Sequence, residues 1–202
     1  MHFTQERIDA LDTHTRTHLI NSLSGFKSAN LIGTQDSQGL TNLSIVSSVI
    51  HLGANPPLVG MIVRPHTVPR HTFENILQTG CYTINQVNQS IYKQAHQTSA
   101  RYDKDESEFA VTGLTPEYLN NFTAPFVKES RLKYSVKFIE HQHLAVNGTE
   151  LVIGEIIDVY VDEAALQSDG FLDLQAIDTV AITGLDSYHT SNKLMRLPYA
   201  KK

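Results

Sequence analysis

The 202-residue sequence contains no tryptophan and one cysteine, Cys81. A single thiol excludes an internal disulfide and any zinc site built from cysteines alone. Cys81 opens the strand-like run Cys81-Tyr-Thr-Ile-Asn85, directly after Gly80. In that setting it is expected to be a small core hydrophobe. Positive charge is also scarce: sixteen Lys and Arg stand against twenty-one Asp and Glu, a formal net charge of −5. A nucleic-acid partner is therefore not expected. No apolar run approaches the length that crosses a bilayer. The first residues, Met1-His-Phe-Thr-Gln-Glu-Arg7, lack the basic start and apolar centre of a signal peptide. The expectation is a reducing, cytoplasmic location and no membrane partner. No P-loop, G-x-G-x-x-G fingerprint or G-x-S-x-G elbow occurs, which removes support for Walker-type and Rossmann sites and for a serine nucleophile at Ser47.

What is present is a chain of ordinary hydrophobic content, 41%, sized for one compact domain with appendages. From Thr4 to about Leu23 the apolar residues Ile8, Leu11, Leu19, Ile20 and Leu23 recur with helical spacing, and Gly25 closes the segment. From Ser28 onward the pattern is β. Ala29–Gln35 reads as a strand, Asp36-Ser-Gln-Gly39 as a hairpin turn, and Thr41–Ile50 as a second strand. Asn55-Pro-Pro57 forces an extended turn before a third, apolar strand, Leu58–Val63. Three strands joined by short turns imply an antiparallel meander.

A helix follows, with Pro69 at its start, Phe73, Ile76 and Leu77 on its apolar face and Gly80 as its stop. Further strands are expected at Cys81–Val87, Leu132–Ile139 and Leu151–Val161, with Asn147-Gly148 as a hairpin turn between the last two. Leu132, Tyr134, Val136 and Phe138 fall on one face of their strand. Ser90 to about Thr98 reads as a short helix, Asp169-Gly170 as another turn, and the tail after Gly184 as irregular. The expected class is mainly β, an antiparallel, Greek-key-like barrel with a few helices. The expected division is an N-terminal helical segment (1–27), a barrel domain (28–184) and a C-terminal tail (185–202).

The chemistry of the first half suits an anion. A phosphomonoester needs arginine forks, hydroxyl donors and free backbone N–H groups. Arg64, Arg70, His71, Thr67 and Thr72 surround the start of the first internal helix, and Ser44, Ser47 and Ser48 stand on the preceding strand. On residue types alone a second reading is the commoner outcome: a capped helix with exposed charges and serines that bond neighbouring backbone. Other constellations are weaker. His141-x-His143 places two imidazoles on one strand face, without a third ligand nearby in sequence, so a solvent-exposed pair is expected. The run Asp103-Lys-Asp-Glu-Ser-Glu108 reads as a solvated loop, and nothing marks Asp105 and Glu106 as a glycosidase pair.

Taken in order, these marks resemble the flavin reductase-like family, the FMN-binding split barrels. The marks are Asn30-Leu-Ile-Gly-Thr34, Gly39-x-Thr-Asn-Leu-Ser44, Ser47-Ser48 and Asn55-Pro-Pro-Leu-Val59. They continue with Arg64-Pro65, Arg70-His-Thr72 with Asn75, the Thr79-Gly80 to Asn85 strand, Thr112-Gly-Leu-Thr115 and Leu151-Val-Ile-Gly-Glu155. The resemblance implies FMN as cofactor and a homodimer with FMN near the subunit interface. It places Asn42, Leu43 and Ser44 at the isoalloxazine ring and Ser47, Ser48 and Val49 along the ribityl and phosphate portion. Arg64, Arg70, His71 and Thr72 would hold the phosphate. His71 departs from the family pattern, where Asp is the commonest residue, so its role is either phosphate contact or packing. The implied activity is an NAD(P)H-dependent flavin reductase passing hydride from nicotinamide to flavin N5, with a flavin or another electron acceptor downstream. The alternatives are a flavin-binding electron carrier without nicotinamide turnover and, last, a barrel for pyridoxal phosphate or haem.

Overall fold

The computed structural model describes residues 1–201. The helical N-terminal region is two short helices, α1 (Gln5–Asp9) and α2 (Thr13–Ser22), not one. The Thr4 side chain accepts from the Arg7 amide to start the first, and Asp12 accepts from the Thr15 amide to start the second. An aspartate placed to cap a new helix competes with continuation of the old one, and here it wins. Neither helix buries a residue, so the apolar stripe expected on this segment does not face a core.

The chain then enters β1 (Lys27–Ser28) and β2 (Asn30–Gln35), and turns through Asp36, whose Oδ1 accepts from the Gln38 and Leu40 amides. It returns as β3 (Thr41–Val46). The run Thr41–Ile50 is not one strand: after Ser47–Val49 the chain begins β4 (Ile50–Ala54) and then β5 (Pro57–Val63). Next come α3 (His71–Thr79), β6 (Cys81–Gln86), α4 (Tyr92–Gln97) and α5 (Glu108–Thr112). Two short strands, β7 (Pro116–Glu117) and β8 (Phe126–Val127), precede the long hairpin β9 (Leu132–Leu144) and β10 (Thr149–Val161). A 3₁₀ turn at Glu163–Ala165 leads to β11 (Val180–Thr183) and β12 (Ser187–Thr190). The last strand lies in the tail expected to be irregular, where it pairs with β11.

Seven strands form one antiparallel sheet in the order β3-β2-β6-β9-β10-β5-β4. The three-strand meander is thus corrected: β4 pairs with β5, whereas β3 pairs with β2 at the opposite edge. A flat sheet of this size would be about 29 Å wide. The link Ser47–Val49 can reach at most about 14 Å. The two edges must therefore curl towards each other, which closes the barrel. Ser48 fixes that closure, donating its hydroxyl to the Ile62 carbonyl (3.0 Å) and accepting from the Ile62 amide (3.2 Å).

One apolar cluster fills the barrel, around Ile32, Met61, Phe73, Ile76, Tyr82, Ile84, Val136 and Val152. Tyr134, Val136 and Phe138 point into it as the period-two pattern requires, while Leu132 joins a smaller cluster with Ala165 and Ile177. Helix α3 lies on this barrel through Phe73 and Ile76, but Leu77, expected on the same face, is exposed. Gly80 ends the helix at φ +71°, a left-handed turn that favours glycine. Gly33 has a different reason: a Cβ there would collide with the Pro125 carbonyl oxygen and Thr83 Oγ1. Cys81 is only half-buried, with Sγ 3.1 Å from Thr123 Oγ1, which corrects its assignment to the core.

Candidate flavin site

The edge strand β3 and the first turn of α3 meet through one polar network. Asn42 Nδ2 donates to Thr72 Oγ1 (2.9 Å), and Ser44 Oγ shares a hydrogen bond with the same hydroxyl (2.7 Å). Asn75, one turn further along α3, donates to the fully buried Thr34 Oγ1 (3.2 Å) on β2. Asn42, Ser44 and Thr72, which the sequence suggested separately, are therefore one constellation. Val49 packs against the barrel cluster. Ser47 is half-buried between the two edges of the sheet. The Ser48 hydroxyl is already engaged by Ile62.

Arg70 is the N-cap residue of α3, and no side chain caps the helix there. The first-turn amides of a helix have no acceptor of their own, so they and the positive end of the helix dipole are disposed towards an anion. The Arg70 guanidinium donates to the Pro65 carbonyl from Nε and Nη2, both at 3.3 Å. Its amide donates to Glu74 Oε1 (3.0 Å), which also meets His66 Nε2 (2.8 Å). Burial holds the Arg70 pKa below the usual arginine value, and repulsion from Arg64 and Arg101 lowers it further. Among the described residues, none of these three arginines forms an ion pair with a carboxylate. Three cations that repel one another, beside an uncapped helix start, are the donor types that an anion calls for. The donor set fits a flavin phosphate.

Two residues of this region escaped the sequence reading. Arg101 sits in the loop after α4, where no local pattern separates it from any exposed arginine. That loop is clipped over the β2–β3 turn by Lys104 near Asp36 (3.6 Å) and by Thr41 Oγ1 with Ser107 Oγ (2.6 Å). Glu108, expected in a solvated loop, is only 7% exposed and accepts from the Leu43 amide (2.8 Å). Burial raises its pKa, opposed by that amide and by the charge of His71. His71 is thereby placed within electrostatic reach of Glu108. The sequence held one clue to Glu108, its place after Ser107 at the start of a helix.

The His141 and His143 pair is exposed as expected, but it has a partner: their Nδ1 atoms meet the two oxygens of Glu150 at 2.9 and 2.7 Å. Among the described residues no group of three or more His, Cys, Asp or Glu is arranged to hold a metal ion. No described helix is long and apolar enough to cross a membrane.

The flavin reductase like domain model matches residues 23–175, most of the chain and all of the strands and helices that build this site. The chain belongs to that family. Its split-barrel structure is correspondingly close to that of a candidate flavin reductase from Shewanella frigidimarina, at 80% identity and TM-score 0.96, covering 99% of this chain and 100% of that one. The flavoredoxin of Desulfovibrio vulgaris is 25% identical with TM-score 0.76, covering 87% of this chain and 92% of that one. Nitrilotriacetate monooxygenase component B from Bacillus cereus covers 98% of both chains at TM-score 0.85, and at 18% identity the likeness is one of fold. The curated relative YwrF of Bacillus subtilis is 23% identical over 172 residues, 83% of this chain and 82% of its own length. The family match begins after α2, so α1 and α2 lie outside it, as does the region from β11 onward.

Proposed function

We propose that this flavin reductase-like protein binds FMN and accepts hydride from NAD(P)H, handing the electrons to a flavin or another acceptor. The carrying observation is the uncapped start of α3 at Arg70, whose guanidinium has no carboxylate partner among the described residues and is repelled by Arg64 and Arg101. When bound, FMN supplies the hydride-accepting centre at N5. The chain's own residues then have positioning tasks. The arginines and the α3 amides hold the phosphate, together with Thr72 and His71. Asn42, Leu43 and Ser44 line the ring, and Glu108 fixes the strand that carries them by accepting the Leu43 amide. Ser47 and Val49 line the ribityl chain, and Ser48 contributes there through backbone, its hydroxyl serving the barrel closure.

The working unit in this reading is the barrel of residues 28–184, with the 1–27 segment and the 185–202 tail as appendages, in the cytoplasm. It is a homodimer, as the family likeness implies, and Ile50 and Leu52, exposed beside each other over Gly60, offer an apolar contact. The likeness to flavoredoxin favours one other reading, an electron carrier that does not turn over nicotinamide.

Anaerobic titration of the FMN-loaded protein with NADH and then NADPH separates these. Bleaching of the flavin absorbance within seconds is expected. Colour that persists under excess of both nucleotides selects the carrier, and a protein that takes up no FMN overturns the proposal.

A further inference from the structure

Helix α2 carries His14 and His18 four residues apart, so the two imidazoles share one face of the helix. Their ring centres are 4.4 Å apart, with the planes tilted by 49°. Thr15, Leu19 and Ser22 complete the same stripe, which lines an open cleft of about 470 Å³. Other histidines of the chain have partners. His66, His141 and His143 meet carboxylates, and His96 and His189 meet hydroxyls. Among the described residues, neither His14 nor His18 forms an ion pair.

Two basic rings held together without an acceptor suit a cation that takes a lone pair from each. Histidines at this helical spacing are how one helix face offers two nitrogens to a single metal ion. The separation of the rings selects the metal. A metal–nitrogen bond of about 2.0–2.1 Å puts the ion about 3.2 Å from each ring centre. Ligands at right angles then have ring centres about 4.5 Å apart, and ligands at the tetrahedral angle about 5.2 Å. The observed 4.4 Å matches the right angle. Tetragonal nitrogen coordination belongs to Cu²⁺ and Ni²⁺, whereas four-coordinate Zn²⁺ is tetrahedral. We propose that His14 and His18 chelate a divalent ion of tetragonal geometry, Cu²⁺ before Ni²⁺, with water in the remaining positions.

The ion also staples α2. That helix buries no residue, so little tertiary packing holds it. A ligand bound across one turn favours the folded turn over the unfolded one. The helix lies outside the family match at residues 23–175, so the chelate does not rest on the flavin reading.

The probe is CuSO₄, titrated into the full-length, FMN-loaded chain carrying His2→Gln. That change removes the imidazole nearest the amino end, a competitor for Cu²⁺. The same chain with His14→Gln, and with His18→Gln, is the comparison. Electron paramagnetic resonance counts the imidazole nitrogens on the first equivalent of Cu²⁺, and calorimetry gives its affinity. Two nitrogens are expected in the reference chain and one in each variant. The affinity of each variant should fall by about a hundredfold, the upper end of what loss of a supporting contact costs. Amide exchange across residues 13–22 should slow with Cu²⁺ in the reference chain alone. A first equivalent bound equally tightly by the variants overturns the site. Zn²⁺ bound as tightly as Cu²⁺ overturns the tetragonal geometry, and unchanged amide exchange overturns the staple.

Discussion

Single residues carry the site through atoms that local sequence cannot reveal. Thr72 is legible because a hydroxyl at a helix start suits an anion, but its bonds to Asn42 and Ser44 span 30 and 28 residues. Glu108 was hidden for the same reason: its partner is the Leu43 amide, 65 residues away. An acidic run reads as solvated unless the tertiary fold buries one member. The burial has a signed consequence. A carboxyl whose folded pKa is raised contributes stability while protonated, below its unfolded pKa, and loses it as pH rises through the folded value. Glu108→Gln retains an acceptor for the Leu43 amide but cannot ionise. Thermal melts from about pH 4 to about pH 8 should therefore show wild type losing stability relative to the variant as pH rises. A difference that stays constant with pH would show that Glu108 is not buried as described.

At the scale of elements, most strands and the helix α3 were readable from period-two alternation, turn residues and the Pro69 to Gly80 bracket. The misreadings have physical causes. Thr41–Ile50 mixes β-branched residues with small hydroxyl residues along its whole length, and no Gly, Pro or charge marks where pairing ends. The break comes from long-range geometry, because Ser47–Val49 must cross between the sheet edges and Ser48 must stand in for backbone beside Ile62. The N-terminal stripe was a true helical pattern without a surface to bury it, divided by the competing cap at Asp12. If Ser48 holds the barrel closed, Ser48→Ala leaves the Ile62 amide and carbonyl without that partner. The expected destabilisation is about 1–3 kcal/mol by urea denaturation. A change within about 0.5 kcal/mol, usual for surface substitutions, would mean that water replaces the serine.

For the whole molecule, the sequence order of modest marks pointed to the split barrel, and the fold joins Asn42, Ser44 and Thr72 from two of those marks in one hydrogen-bonded network. Barrel closure sets β3, the 47–49 link and α3 side by side, although they come from both edges of the sheet and a crossing helix. What the marks could not reveal is the third cation, Arg101, since its loop is positioned by Asp36 and Thr41 from another part of the chain. The central claim is that the start of α3 holds a phosphate. Comparing FMN with riboflavin, which lacks that phosphate, tests it most directly in wild type and Arg70→Ala. Loss of one charge-assisted hydrogen bond should weaken FMN binding by about one to two decades and leave riboflavin affinity nearly unchanged. Equal losses for the two ligands would contradict a phosphate at Arg70.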